Sequence, residues 1–532
     1  MIEQVPVEMP FDIATAIADD AWRATAVWPL PLSASRQIMK RLADALDALS
    51  DTLPRDQAEV VVLSSPWLLS AVGALADAAA QIEAAASRKI CFIGREPVLA
   101  RFSPGERDDA TAEIKAGAMP AIDVPKHAGL RRLARTVSLN RAGNLPRALT
   151  SPDHVAISHN SLLMDVARRS RKSVAFRHGA EIVATARNAG VTPDERETAE
   201  LARKVSDGLL STVTLSSPYR ERLAEIASPI IYARMVEAAT DLANLRRFVA
   251  LPASVWSGSA GYYPARAIAI EVRRRGGEVT VFDHGGSTGM FERELLAFGE
   301  FRLATRFVTT THGVCRLLRL GHQLAPMPAN KRPKIVGHDG EDVFASAMRL
   351  PARPNGARPR VAYPLAPFSG FRQYYPCLLP DVVYYDFLMR TVGILNELPI
   401  DLICKPRPGA NKSHVVERIA KADFRLFEFV LPEVDVVLFD DVHSTTFWQT
   451  LCSDRGVVLI DLGLNRFVPE VATLIRQRCC IVAARFDDRN MPSVDAKELA
   501  DAVSRASTMT VDPSPFRVLL AHDPAGSEAL DL

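Results

Sequence analysis

The 532-residue chain predicts an α/β fold: two Rossmann-like domains facing a cleft, with extra N-terminal and inserted helices. Three observations predict it. From residue 58 onward, short β-rich apolar runs alternate with amphipathic helical runs, the pattern of βαβ units and a largely parallel sheet. The stretch Leu350-Pro351-Ala352-Arg353-Pro354-Asn355-Gly356-Ala357-Arg358-Pro359 breaks the alternation. It is aperiodic and rich in Pro and Gly, as a linker is. A second alternating series begins directly after it.

The expected elements divide the chain in three. Residues 1–55 read as a helical lead-in, with Ser33 or Ser35 capping a helix that runs to Leu49. Residues 56–350 read as an N-terminal Rossmann-like acceptor domain. Its expected strands are Glu59–Leu63, Lys89–Ile93, His154–Ser158, Ser173–Phe176, Ser254–Trp256, Glu278–Phe282 and Arg306–Thr309. Helices are expected at Ser161–Arg169 and Pro264–Arg275, and a helical insertion at Thr192–Ala250. Residues 351–532 read as a C-terminal Rossmann-like domain for a nucleotide donor. Its expected strands are Arg360–Tyr363, Asp401–Cys404, Val434–Phe439, Gly456–Ile460 and Cys479–Ala483. Its expected helices are Val382–Leu395, His414–Lys421, Thr446–Ser453, Val468–Gln477 and Ala496–Ser507.

Composition narrows the function classes. Lys plus Arg is 64 against Asp plus Glu at 62, so no basic excess argues for nucleic-acid binding. The clusters Arg168-Arg169-Ser170-Arg171-Lys172 and Arg273-Arg274-Arg275 fall near expected helix ends, where solvated C-terminal turns favour cations. The seven cysteines lack metal-ligand spacing and read as buried free thiols of a reducing compartment. The N-terminus has no apolar signal core. The uncharged stretch Val60–Ala76 is interrupted by Ser64, Ser65 and Pro66. It reads as a strand, a turn and a buried helix rather than a membrane span. A cytoplasmic protein is expected, with peripheral contact at the inner face of the membrane left open. Nothing speaks to oligomeric state.

Three constellations carry chemistry. In Asp440-Asp441-Val442-His443-Ser444-Thr445-Thr446, a buried strand stops at two acids and turns into a helix. Backbone N–H groups and small hydroxyls there suit an anion, although capping by Ser444 or Thr445 accounts for one hydroxyl. In Lys405-Pro406-Arg407-Pro408-Gly409, prolines stiffen a loop that carries two cations off another strand end. The plainer reading of it is a basic surface loop. In Asp283-His284-Gly285-Gly286-Ser287-Thr288-Gly289, glycines permit unusual backbone angles beside a histidine suited to general base work. Asp283 is expected to orient that ring or hold its charge. The plainer reading is a Gly-rich turn capped by Ser287. An echo, Phe176-Arg177-His178-Gly179, suggests that His178 opens on the same cleft, or that strand-then-Gly has simply recurred. Ser257, opening the small-residue turn to Tyr263, could admit an acceptor. Phe368, Phe371, Tyr374 and Tyr375 could stack a base, though packing explains them as well. No Walker sequence or D-x-D occurs.

The order of these motifs resembles GT-B glycosyltransferases, above all bacterial surface-carbohydrate transferases with a His-Gly-Gly loop. More distantly it is similar to CDP-glycerol glycerophosphotransferases and to bacterial sialyl and Kdo transferases. The resemblance covers roughly residues 250–465 and implies an inverting, metal-independent transfer from a nucleotide-sugar, with a CMP-linked donor suggested by likeness alone. It implies no cofactor. The partners would be the nucleotide-sugar and a glycan or protein acceptor. It makes His284 the base, turns Lys405 and Arg407 to the donor phosphate, and gives His443, Ser444, Thr445 and Thr446 the phosphate or nucleotide. Arg407 stands where such loops often hold His, so it keeps charge but cannot be a neutral proton donor. A nucleotide-sugar epimerase and a non-catalytic nucleotide- or carbohydrate-binding protein on the same scaffold remain alternatives.

Overall fold

The computed structural model describes residues 6–102, 128–292, 297–320, 323–324, 327–351, 358–368, 379–407 and 415–521. Besides a small antiparallel pair, Arg485–Phe486 with Pro492–Ser493, fourteen strands organise it, β1 Val7–Pro10, β2 Ile90–Ile93, β3 His154–Ala156, β4 Val174–Phe176, β5 Ser254–Ser257, β6 Glu278–Phe282, β7 Arg306–Val308 and β8 Lys334–Val336 in the first part, then β9 Arg360–Pro364, β10 Asp401–Lys405, β11 Lys421–Ala422, β12 Val436–Phe439, β13 Gly456–Asp461 and β14 Cys480–Ala483. Twelve of them build two six-stranded sheets, ordered β4-β3-β5-β6-β7-β8 and β11-β10-β9-β12-β13-β14. Every neighbouring pair within both is parallel. Numbered within its own half, the second sheet runs 3-2-1-4-5-6, the order of a Rossmann domain. The α/β reading with two Rossmann-like domains therefore holds.

Burial explains why these runs are strands. Val436–Phe439 and Val457–Ile460 are continuous apolar stretches buried on both faces, as central parallel strands must be. Helices Ser161–Arg169 and Asp381–Asn396 match their expected spans closely.

The N-terminal region departs from expectation. The strand expected at Glu59–Leu63 is instead part of one helix, Arg55–Ser87, that runs through Pro66. Proline at that point frees the carbonyl of Val62. Arg266 Nη2 (2.7 Å) and Ser65 Oγ (2.9 Å) both donate to that oxygen, and Ser64 Oγ bonds Val60 O. The freed group is thus satisfied and the helix continues. It is long and apolar enough to cross a membrane, and 67% of its most apolar window is buried among the Leu32–Thr52, Ser217–Arg247 and Tyr263–Arg274 helices. The Leu32–Thr52 helix begins after Pro31, so neither Ser33 nor Ser35 caps it. The lead-in also contains a strand: β1 pairs with β2 in a separate two-stranded sheet. That placement leaves Cys91 exposed, against the expectation of a buried thiol, while Cys315, Cys404, Cys452, Cys479 and Cys480 are buried.

Five strands were not expected, β1, β8, β11 and the antiparallel pair Arg485–Phe486 and Pro492–Ser493; each has four residues or fewer. The helix expected at His414–Lys421 is a single 3-10 turn, Val415–Arg418, before β11. The linker's residues 352–357, the Pro408-Gly409 end of the cationic loop, and Phe371, Tyr374 and Tyr375 lie outside the described residues.

One apolar cluster belongs to both halves. Met290, Phe291, Val314 and Phe344 from the first pack with Phe439, Phe447, Trp448 and Phe516 from the second. It fastens the two sheets to one another beside their carboxyl ends.

Candidate functional site

The carboxyl edge of the first sheet collects the polar groups that its loops bring there. Asn160, after β3, ties three strand ends together: its Nδ2 donates to Gly258 O and Asp283 O, both at 2.8 Å, while its Oδ1 caps the Ser161–Arg169 helix. Gly258 must be glycine, because a Cβ there would stand 2.8 Å from the His159 backbone. Ser257 is buried; its hydroxyl bonds Ser158 Oγ (2.9 Å) and Ser259 O (2.7 Å). It holds the turn rather than facing an open site.

Beyond β6 the chain turns sharply. Gly285 and Gly286 have φ of +85° and +72°, and a Cβ on Gly286 would lie 2.4 Å from the Phe344 ring. His284 stands exposed at this turn. Asp283 does not orient its ring by hydrogen bonding. The Asp283 carboxylate instead accepts from the His284 backbone N–H (2.7 Å) and the Thr288 hydroxyl, closing the turn, and its Oδ2 is buried with no hydrogen-bond partner. Burial raises the Asp283 carboxyl to about 6, against the lowering effect of Thr288.

A second carboxyl joins it that the sequence reading missed. Glu341, in the loop after β8, is 5% exposed and accepts from Ser161 Oγ, and its Oε2 is likewise buried and unbonded. Burial raises it to about 7; the Ser161 hydroxyl opposes this, and the charge of Asp283 adds to it. The imidazole of His284 lies near enough to bear on both acids. Two buried carboxyls with idle oxygens thus flank an exposed histidine. Glu341 sits in Gly340-Glu341-Asp342, which matches no motif; only the fold brings it across from β6. His178 lies on the same edge, three strands from β6 in the sheet order. There it caps the Gly179–Arg187 helix and sets its ring against Tyr262.

The second sheet's edge is built more tightly. A crevice opens between the ends of β9 and β12, the switch point where such sheets bind ligands. Ala366, Tyr384, Asp440, Asp441, His443 and Asn465 line it. Tyr363 donates to Asp440 Oδ2 at 2.6 Å. Burial raises Asp440 to about 7, opposed by the Tyr363 hydrogen bond and reinforced by Asp441. His443 Nε2 meets Asn465 Oδ1 at 2.6 Å, and its ring packs on Phe291 with centroids 4.9 Å apart. Ser444 caps the Thr445–Leu451 helix and bonds Thr446, so those two hydroxyls are occupied by one another.

The two edges meet. A Cβ on Gly285 would fall 3.2 Å from Thr445 Oγ1. Further on, Phe291 bridges Phe467, Glu292 N–H bonds Arg466 O (2.9 Å), and Val468 N–H bonds Met290 O (3.0 Å). The His284 turn and the His443–Thr446 turn therefore share one junction. The cationic loop stands apart from it. Lys405 ends β10, separated from β12 by β9. Its ammonium is buried and donates to Pro406 O (2.9 Å); burial lowers its pKa, opposed by the charge of Asp423. Arg407 is exposed two residues on. Among the described residues, no three His, Cys, Asp or Glu side chains gather as a metal ion would need.

No protein-family model matches the chain, and no curated protein does. Among solved structures, an α,α-trehalose 6-phosphate synthase from Burkholderia multivorans matches with 10% identity and a TM-score of 0.33, covering 66% of this chain and 79% of its own. A UGT transferase from Siraitia grosvenorii, in complex with UDP, matches with 9% identity and a TM-score of 0.29, covering 65% of this chain and 83% of its own. Likenesses this slight carry no argument about the site, which stands on its own residues.

Proposed function

We propose that the chain is a glycosyltransferase that moves a sugar from a nucleotide-activated donor to a glycan or protein acceptor, inverting and without a metal. One observation carries this reading: the carboxyl edges of two parallel sheets meet at Gly285 and Thr445, with an exposed imidazole on one side and a switch-point crevice on the other.

In this reading the donor nucleotide lies across the mouth of the crevice, whose interior of about 20 Å³ is too small to enclose it, and Asp440, Asp441 and Asn465 offer acceptors to its hydroxyls. The acceptor hydroxyl approaches over the first sheet. His284 takes its proton as the oxygen bonds the anomeric carbon and the bond from that carbon to phosphate breaks. Asp283 and Glu341 steady the imidazolium that results. The nucleoside phosphate leaves with the electron pair. Arg407, which is exposed, meets that charge better than the buried Lys405.

Thermal-shift measurements with CMP, CDP, UDP and GDP, followed by assays of donor hydrolysis and transfer, test it. One nucleotide should stabilise the protein. His284→Ala should cut turnover by about 10²–10⁴-fold and leave the affinity for that nucleotide unchanged. Full turnover in that variant would remove His284 as the base. Nucleotide binding with neither hydrolysis nor transfer would replace the enzyme by a binding protein.

A further inference from the structure

A second cavity lies away from this junction. It encloses about 340 Å³, within the range of small-molecule sites. Its walls come from the end of the Leu32–Thr52 helix, the start of the Arg55–Ser87 helix, the end of the Tyr263–Arg274 helix, and residues 302–303, 327–328 and 331. Those last segments lead into β6, β7 and β8, so the cavity sits at the amino edge of the first sheet. The candidate site occupies the opposite edge.

Val62, Ile270, Leu303 and Met327 give it an apolar floor. Five cations line it against three acids, Asp47, Asp51 and Glu59. Four of the five are paired. Arg302 meets Asp47, Lys331 meets Asp51 (3.1 Å), Arg55 meets Glu59 (2.9 Å), and Arg274 meets Asp56 and Glu59 (2.8 Å). Arg273 is different. Its Nη1 donates to the Arg302 carbonyl, and no carboxylate lies within ion-pair distance among the described residues. Burial lowers its pKa, and the charges of Arg302 and Arg55 lower it further. A half-buried guanidinium beside two other cations, without an anion, is an uncompensated charge at the wall of an apolar cavity. The Arg273-Arg274-Arg275 run is thus more than the solvated helix end its sequence suggests.

We propose that this cavity binds a small amphipathic monoanion, a carboxylate on a short apolar body, with Arg273 as its charge anchor. Only one lining cation lacks an acid partner, which favours a single negative charge. The planar fork of arginine suits a carboxylate by two parallel bonds. The floor takes the apolar body. Nothing in this inference depends on the reaction at the cleft.

Octanoate, titrated calorimetrically into the full chain, is the probe, with octanol as its uncharged match. Octanoate should bind at one saturable site with Kd near or below about 1 mM, and octanol at least tenfold more weakly. Arg273→Met should weaken octanoate at least tenfold. Ile270→Trp, which fills the floor and keeps every cation, should abolish binding. His284→Ala should leave it unchanged. A diazirine-bearing octanoate should label peptides that line the cavity, a readout that needs no variant to fold. Octanoate that fails to saturate, binds Arg273→Met as well as the parent, or labels peptides elsewhere would overturn the proposal.

Discussion

The two sheet edges that meet at Gly285 and Thr445 carry similar residues in opposite states. Each has a histidine next to buried carboxyls of raised pKa: Asp283 at about 6 and Glu341 at about 7 on the first edge, Asp440 at about 7 on the second. On the second, His443 is held by Asn465 and Phe291, and Asp440 by Tyr363. On the first, His284 is exposed; Asp283 and Glu341 each keep an idle oxygen, as Asp440 does, so the histidines make the difference. A side chain fixed on two sides can shape a pocket but has little freedom to exchange a proton with a substrate. The first edge is therefore suited to chemistry and the second to holding the donor. The comparison also agrees with the different roles, base for His284 and phosphate or nucleotide binding for His443, that the resemblance implies.

The largest structural effect should come from the residue that joins the edges. Phe291 belongs to the first half, yet it is fully buried against His443, Trp448 and Phe467 of the second. Phe291→Ala should cost about 3–5 kcal/mol in chemical unfolding, through lost burial and the cavity left behind. It should also free the His443 ring. A cost below about 1 kcal/mol would mean that the junction relaxes without loss, and the second edge would no longer count as locked.

The next effect separates the edges by pH. Folding raises Glu341 from 4.5 to about 7, so the folded protein holds that proton more tightly than the unfolded chain does. Its contribution is complete below the unfolded value and is lost as pH rises through about 7. Glu341→Gln keeps a neutral group of similar shape. It should match the parent near pH 4 and exceed it at pH 8 by up to roughly 3 kcal/mol. Thermal unfolding across that range measures it. Parallel curves for the two proteins would show that Glu341 ionises freely and is not a strained partner of His284.

Much of this was legible in the sequence, and the failures have physical causes. Continuous apolar runs such as Val436–Phe439 announce buried parallel strands in any context. Strands β1, β8 and β11 are too short to show a period. The Arg55–Ser87 helix was misread because Ser64, Ser65 and Pro66 look like a turn until Arg266, two hundred residues later, supplies the missing donor. At the site, the turns around His284 and His443 were visible because their residues are contiguous. Glu341 was not, since its meaning depends on Ser161 and Asp283 arriving from β3 and β6. Lys405 and Arg407 misled in the other direction. Cations two residues apart would share a face if the strand continued, but β10 ends at Lys405, and beyond it Lys405 is left buried and Arg407 exposed.

The smallest effect gives the finest test of the open edge. Ser161 opens the helix Ser161–Arg169, and its hydroxyl is the described hydrogen bond to Glu341. That bond holds the carboxyl below the value that burial alone would set. Ser161→Ala removes one donor and leaves the helix cap, Asn160, in place. At pH 6, where Glu341 is mostly neutral, the loss should be about 1 kcal/mol, the net worth of one hydrogen bond. Above pH 7 the charged carboxylate loses more, so the gap between variant and parent should widen. The decline in stability with pH should therefore continue to higher pH than in the parent. A gap that stays constant from pH 6 to pH 8 would mean that Ser161 bonds the acid equally in both charge states. The first edge would then be as settled as the second, and its claim to the chemistry would fall.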